Sequence, residues 1–414
     1  MKNIIEKIKK LTLEEINKNL IFVAILSLLF RVGNFSTNYL PKPFELIILL
    51  IILLTILDFI LNKKIKDLFF SIPKNIRIIL YILIFSILLG WGVSFISGVS
   101  TSFNMLLEFG AFLFSLSVFL LIFFYGREDK DYITKYFYAL LIPVVYIFFI
   151  IFPSLAYDFN LALGTHFVGF NTNPNIVSKF LIIPVIFFIV RSLYRVSSKF
   201  MILVNILVSS LLVSLVFWTA SRGAILSVFL GIIFVSIIIL SKDFSFKKLI
   251  KNILILFFIL FIGFIFVPKE SKSPIADRFV GTYNNINGID REIRFKIWDF
   301  YIRKALTHPL GFGPNTHMDS NILLSNGQYE NSGSHNSYLQ IWIWGGVLGL
   351  VSFIYLLFIA FRELKNNLSL DFSIINIALI GILFSLSISI FFDDSYTIAC
   401  LWVILALSLI KHKK

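Results

Sequence analysis

Apolar runs long enough to cross a lipid bilayer recur through almost the whole chain. They lie near 20–35, 44–61, 76–97, 103–125, 133–153, 174–191, 200–219, 223–240, 250–268, 337–360, 372–392 and 395–410. A helical crossing takes roughly 20 residues, so twelve runs occupy most of the 414 positions and leave no room for a sizeable soluble domain. The expected fold is an all-α polytopic membrane protein with about 12 transmembrane helices. Only 14% of the residues are charged and the mean hydropathy is +0.90, which agrees.

The net charge of +14 names no nucleic-acid partner, because membrane proteins collect Lys and Arg in their cytoplasmic loops. With both termini inside, 25 of the 37 basic residues fall in inner segments. Arg31, Lys42, Lys179 and Arg222 sit at outer helix ends or loops, and eight more lie between Lys269 and Lys304. The outer segment 269–336 is therefore both the longest and the only one rich in positive charge. Four parts result: an amphipathic cytoplasmic segment 1–19, spans one to nine over 20–268, the long outer loop 269–336, and spans ten to twelve over 337–410. The basic start is followed by a retained first span rather than a cleaved signal, since Arg31 and a second apolar run come after it. The single cysteine, Cys400, can form no intramolecular disulfide.

Polar residues in such a chain are informative because an ionisable side chain at membrane depth costs about 2.5–3.5 kcal/mol on insertion scales. Arg31, Glu45, Glu108, Lys179, Arg222, Asp393 and Asp394 all fall near the outer face in this topology, so a working site would open outward. For Arg31, Glu45 and the Asp393/Asp394 pair, helix ends reaching into headgroups explain the position equally well. Lys179 and Arg222 stand instead inside polar blocks. In the first, residues 166–180, Asn173-Pro174-Asn175 reads as a turn and helix start. In the second, Ser221, Arg222 and Gly223 separate two apolar runs with no space for a loop, which leaves Arg222 needing an anion. The third, 290–317, reads as partly helical over 290–306 and carries Arg291, Arg294, Lys296, Arg303 and Lys304; Arg294 shares a face with Ile297 and Trp298. The fourth, 333–350, sets His335 and Asn336 before an apolar helix whose Gly345, Gly346 and Gly349 permit close packing. The five histidines offer no zinc-like spacing with a carboxylate, so neither a metal nor another cofactor is expected.

Four pieces carry a resemblance: F-N-T-N-P-N at 170–175, S-R-G-A at 221–224, R-F-K-I-W with H-P-L-G-F-G at 294–298 and 308–313, and H-N-S-Y-L with G-G-V-L-G at 335–339 and 345–349. In this order, around a long outer loop, they resemble the O-antigen ligase and O-antigen polymerase family of bacterial envelope glycosyltransferases. The resemblance implies a membrane glycosyltransferase (GT-C-like) architecture in the cytoplasmic membrane. It also implies metal-free transfer, at the outer face, of a glycan from undecaprenyl diphosphate to a sugar hydroxyl. Arg222 and Arg294 would then bind the diphosphate and His335 would handle the acceptor hydroxyl. Lys179, Asn175, Asn336 and Arg291 complete the candidate binding set. The acceptor would be lipid A core for a ligase or a second lipid-linked repeat for a polymerase, with a slight lean to the polymerase, for which a chain-length regulator would be a further partner. A polytopic solute transporter is the alternative; it calls for broken helices and ionisable groups near the midplane, where these runs are almost wholly apolar.

Overall fold

The computed structural model describes residues 12–27, 43–62, 72–97, 103–127, 130–163, 166–169, 173–194, 198–269, 271–272, 289–314, 322–323, 329–330, 333–393 and 399–410. Among these the chain is helical apart from two short antiparallel ribbons, 162–163 with 166–167 and 322–323 with 329–330. Nine described helices are long and apolar enough to cross a membrane, and two shorter apolar helices, Leu46–Ile56 and Ala399–Leu409, accompany them. The helix Leu13–Ser27 runs straight through the expected boundary at residue 19, with Asn17 and Lys18 buried; residues 1–11 of the expected amphipathic segment lie outside the described residues.

Apolar composition all round a helix leaves burial to be decided by neighbours. Pro174–Leu193 sits at the centre, packed on Lys199–Trp218, Ile374–Ser389 and Arg222–Lys242, and 83% of its apolar window is buried. Phe246–Ile265, at 22%, is peripheral, with Phe257, Phe258 and Phe261 exposed along its outer side. That outward apolar surface is what lipid would cover.

The helix Ser337–Leu370 packs mainly on Lys74–Ile96, and here the glycines act in two ways. A Cβ on Gly345 would stand 2.6 Å from Ser86 Oγ, so this position sets the close approach expected of the glycine block. Gly346 does something different: its φ of 61° and ψ of −160° break the helix, a conformation essentially restricted to glycine. With a rise of 1.5 Å per residue the break lies about 13 Å along from Ser337. Backbone groups released at that depth need partners, and the segment 309–313 supplies them. Phe312 N–H donates to Ile343 O at 2.7 Å, Gly313 N–H to Trp344 O at 2.9 Å, and Val347 N–H to Pro309 O at 3.0 Å. Ser94 Oγ in turn donates to Phe312 O. The sequence reading gave these glycines close packing alone; Gly346 also breaks the helix, and the chain's own loop fills the break.

The helix Ile289–Thr307, the outer helix of the expected topology, leads into this loop. Ile297, Tyr301 and Ala305 recur every four residues and are buried, which lays one side of the helix on the bundle.

Candidate active site

Three helices begin at the same end of the bundle. Asn173 starts the first: its side chain accepts the Asn175 N–H at 2.9 Å, Pro174 occupies the first turn, and Lys179 follows one turn later. The second begins at Arg222, immediately after Lys199–Trp218 ends. Ala220 makes this reversal with φ of 51°, in the left-handed region where a Cβ costs about 1–2 kcal/mol. Ser221 makes no side-chain cap hydrogen bond at this helix start. The third is Ser337–Leu370, capped by Asn336, whose side-chain oxygen accepts the N–H groups of Tyr338 at 3.0 Å and Leu339 at 3.2 Å. An uncapped N-terminal turn carries partial positive charge and N–H groups suited to anions.

A cavity of about 200 Å³ lies between the first two helix starts and the end of Ile374–Ser389. Asn175, Lys179, Arg222, Ser389, Phe392 and Asp393 are among its lining residues. Lys179 is nearly inaccessible, 2% exposed, and its ammonium pairs with the Asp393 carboxylate, which is 20% exposed. The backbone carbonyl of Asp393 accepts a hydrogen bond from Ser337 Oγ at 2.7 Å, so the cavity wall is tied to the start of the third helix.

His335 stands two residues before that tie and does not line the cavity. It is half-buried, and its backbone is left-handed with φ of 46°. The adjoining Ser334 carbonyl accepts the Trp298 indole N–H at 2.9 Å, which fastens the outer helix to the histidine segment. Trp298 also meets Phe391 edge to face at 5.4 Å, and Phe391 touches Phe392 at 5.3 Å. An aromatic path therefore runs from the outer helix to the cavity.

Asn175, Lys179 and Arg222, far apart in sequence, thus share one cavity, and His335 and Asn336 adjoin it through Ser337. Position 294 lies one turn before Trp298 on the outer helix, but the side chains of Arg291 and Arg294 lie outside the described residues, as does Asp394. Tyr301 on the same helix is fully buried. Two features differ from the sequence reading. Lys179, one of the expected binding residues, pairs with Asp393, for which a headgroup-facing helix end explained the position equally well. Asn336, another of the expected binding residues, spends its side-chain oxygen on the helix cap beside His335. Lone charges of opposite sign at the same membrane depth were the signal for the Lys179–Asp393 pair; the sequence does not say that their two helices touch.

Residues 206–354 match the family model of the O-antigen ligases. The match supports an O-antigen ligase and polymerase family assignment. It spans just over a third of the chain and includes Arg222, Arg294 and His335. Asn175, Lys179 and Asp393 lie outside the matched O-antigen ligase segment, and the fold is what brings them to it. No curated protein matches the chain.

Proposed function

We propose that this protein transfers a glycan from undecaprenyl diphosphate to a sugar hydroxyl at the outer face of the cytoplasmic membrane. The observation that carries the reading is the cavity at two helix starts, lined by Arg222 and by the buried Lys179–Asp393 pair. A diphosphate tethered in the outer leaflet needs cationic and N–H donors at a helix end, within reach of lipid. Arginine offers the fork geometry for phosphate oxygens. The outward orientation rests on the distribution of basic residues, which puts residues 173, 222, 337 and 393 on the outer side.

In the reaction, the acceptor oxygen bonds to the anomeric carbon while the bond from that carbon to the diphosphate oxygen breaks. The electron pair leaves with undecaprenyl diphosphate, and Arg222, Arg294 and the helix start stabilise the charge that develops there. The hydroxyl proton passes to His335, whose unprotonated ring nitrogen can accept it. Lys179, Asn175, Asn336 and Arg291 are assigned to binding and orientation around these groups. Basic side chains and backbone dipoles take the role that a divalent ion has in other phosphate-leaving reactions, so the transfer proceeds without metal.

The acceptor has two forms. Nothing in the sequence marks a contact to lipid A core, which favours a second lipid-linked repeat and the polymerase reaction. The O-antigen ligase match favours lipid A core. The surface glycan of a strain lacking the gene separates them: core bearing a single repeat means a polymerase, and bare core with accumulating lipid-linked chains means a ligase. Unchanged surface glycan would count against both.

A further inference from the structure

The backbone at His335 is held from several sides by its neighbours. Its φ of 46° is one that a residue with a Cβ keeps only when its surroundings impose it. Ser334 and Gln340, both fully buried, and Asn336, 2% exposed, surround it. Ser334 Oγ lies 2.9 Å from Gln340 Oε1 and 3.0 Å from Asn336 O, and it accepts the Asn336 N–H at 3.3 Å. These contacts tie the residues on either side of His335 to each other and to the first turn of the helix. A further tie comes from outside the segment: the Trp298 indole donates to Ser334 O, and Trp298 belongs to the Ile289–Thr307 helix, 36 positions earlier.

We propose that Trp298 and Ser334 are positioning residues that hold His335 in its left-handed backbone and so fix its imidazole before the acceptor arrives. This rests on the reading of His335 as the acceptor-side base. The chemistry favours such a device. Proton transfer requires the base within hydrogen-bond reach of the hydroxyl, and a residue just ahead of a helix start has no helical hydrogen bond of its own to set its direction. Ser334 supplies that restraint locally, while Trp298 links it to the helix that carries Arg294. The helix that carries Arg294 and the segment that carries His335 are thereby joined by the indole N–H.

Trp298→Phe removes the N–H and keeps a ring against Phe391. Full-length protein in proteoliposomes would be supplied with undecaprenyl-diphosphate-linked repeat units extracted from the producing strain, and with either acceptor. The variant should lose about tenfold in kcat, the size of one buried hydrogen bond, with its KM for donor within twofold of the parent. In a His335→Asn background the same change should cost nothing further, because the group it positions is gone. Ser334→Ala, read in the same two backgrounds, serves if Trp298→Phe does not accumulate. A normal kcat in both Trp298→Phe and Ser334→Ala, with His335→Asn impaired, overturns the positioning role alone. A further tenfold loss in the double variant overturns it too, since Trp298 would then act independently of His335. Full activity in His335→Asn removes the underlying reading of the base.

Discussion

Replacing Asp393 by asparagine should destabilise this protein far more than the loss of an ordinary charge at a helix end. Removing one member of a buried ion pair typically costs 3–5 kcal/mol, because the remaining charge keeps its desolvation penalty and loses its partner. Lys179 is the buried member at 2% exposure, whereas Asp393 keeps 20%, so some solvent screening already weakens the pair and the lower end, about 3 kcal/mol, applies. The opposite change, Lys179→Met, leaves the less buried charge and should cost less, about 1–2 kcal/mol on the same scale. The double variant should be more stable than Asp393→Asn alone, since it does not leave the Lys179 ammonium buried without the Asp393 carboxylate. Thermal unfolding of the purified proteins in detergent ranks the four forms. Inorganic diphosphate adds a second comparison: as an anion entering a cavity that has lost its carboxylate, it should raise the midpoint of Asp393→Asn more than that of the parent. Equal midpoints for parent and Asp393→Asn, or a double variant less stable than either single one, would refute the pair as a structural feature.

His335→Asn should insert and fold normally, because asparagine tolerates a left-handed backbone, yet transfer little glycan; His335→Ala adds a loss of about 1 kcal/mol in stability from the strained φ, measurable as a lower unfolding midpoint. Gly346→Ala should abolish accumulation of folded protein in the membrane, since the added methyl meets the backbone of Pro309 and Leu310 and the conformation itself costs about 1–3 kcal/mol; normal accumulation on a membrane blot would argue against the helix break. Arg303 is 77% exposed on the outer helix, so a cysteine there should react with an impermeant maleimide in intact spheroplasts; reaction only after lysis would reverse the orientation.

How far the chain could be read without its structure depended on the kind of signal. Hydropathy marks helices well, since a bilayer crossing needs a long apolar run whatever surrounds it, and each of the expected runs overlaps a described helix. The helix starts at Pro174, Arg222 and Ser337 were legible too, through Asn-Pro, a charged break between apolar runs, and His-Asn-Ser. Pairing between helices was not. Apolar faces all look alike, so nothing in the sequence says that Lys179 on one helix meets Asp393 beyond another. The break at Gly346 was hidden for a related reason. A glycine that permits close packing and a glycine that leaves the helical region have the same surroundings in the chain, and only the loop 309–313, arriving from elsewhere, separates the two. Asn336 and His335 show the limit at single-residue scale: both precede a helix, and one position decides which of them caps it.

The central claim, that the cavity at Arg222 holds the diphosphate of a lipid-linked glycan donor while it leaves, is tested most directly by single-turnover transfer with purified protein. Parent and Arg222→Lys would be given radiolabelled undecaprenyl-diphosphate-linked repeat units in excess chelator, and both elongated glycan and released undecaprenyl diphosphate would be quantified. The parent should form the two products in equal amounts. Arg222→Lys, which keeps the charge and loses the fork, should be slower by on the order of 10² to 10³. Equal rates in the two proteins, or a parent that turns over only when a divalent ion is restored, would contradict the account.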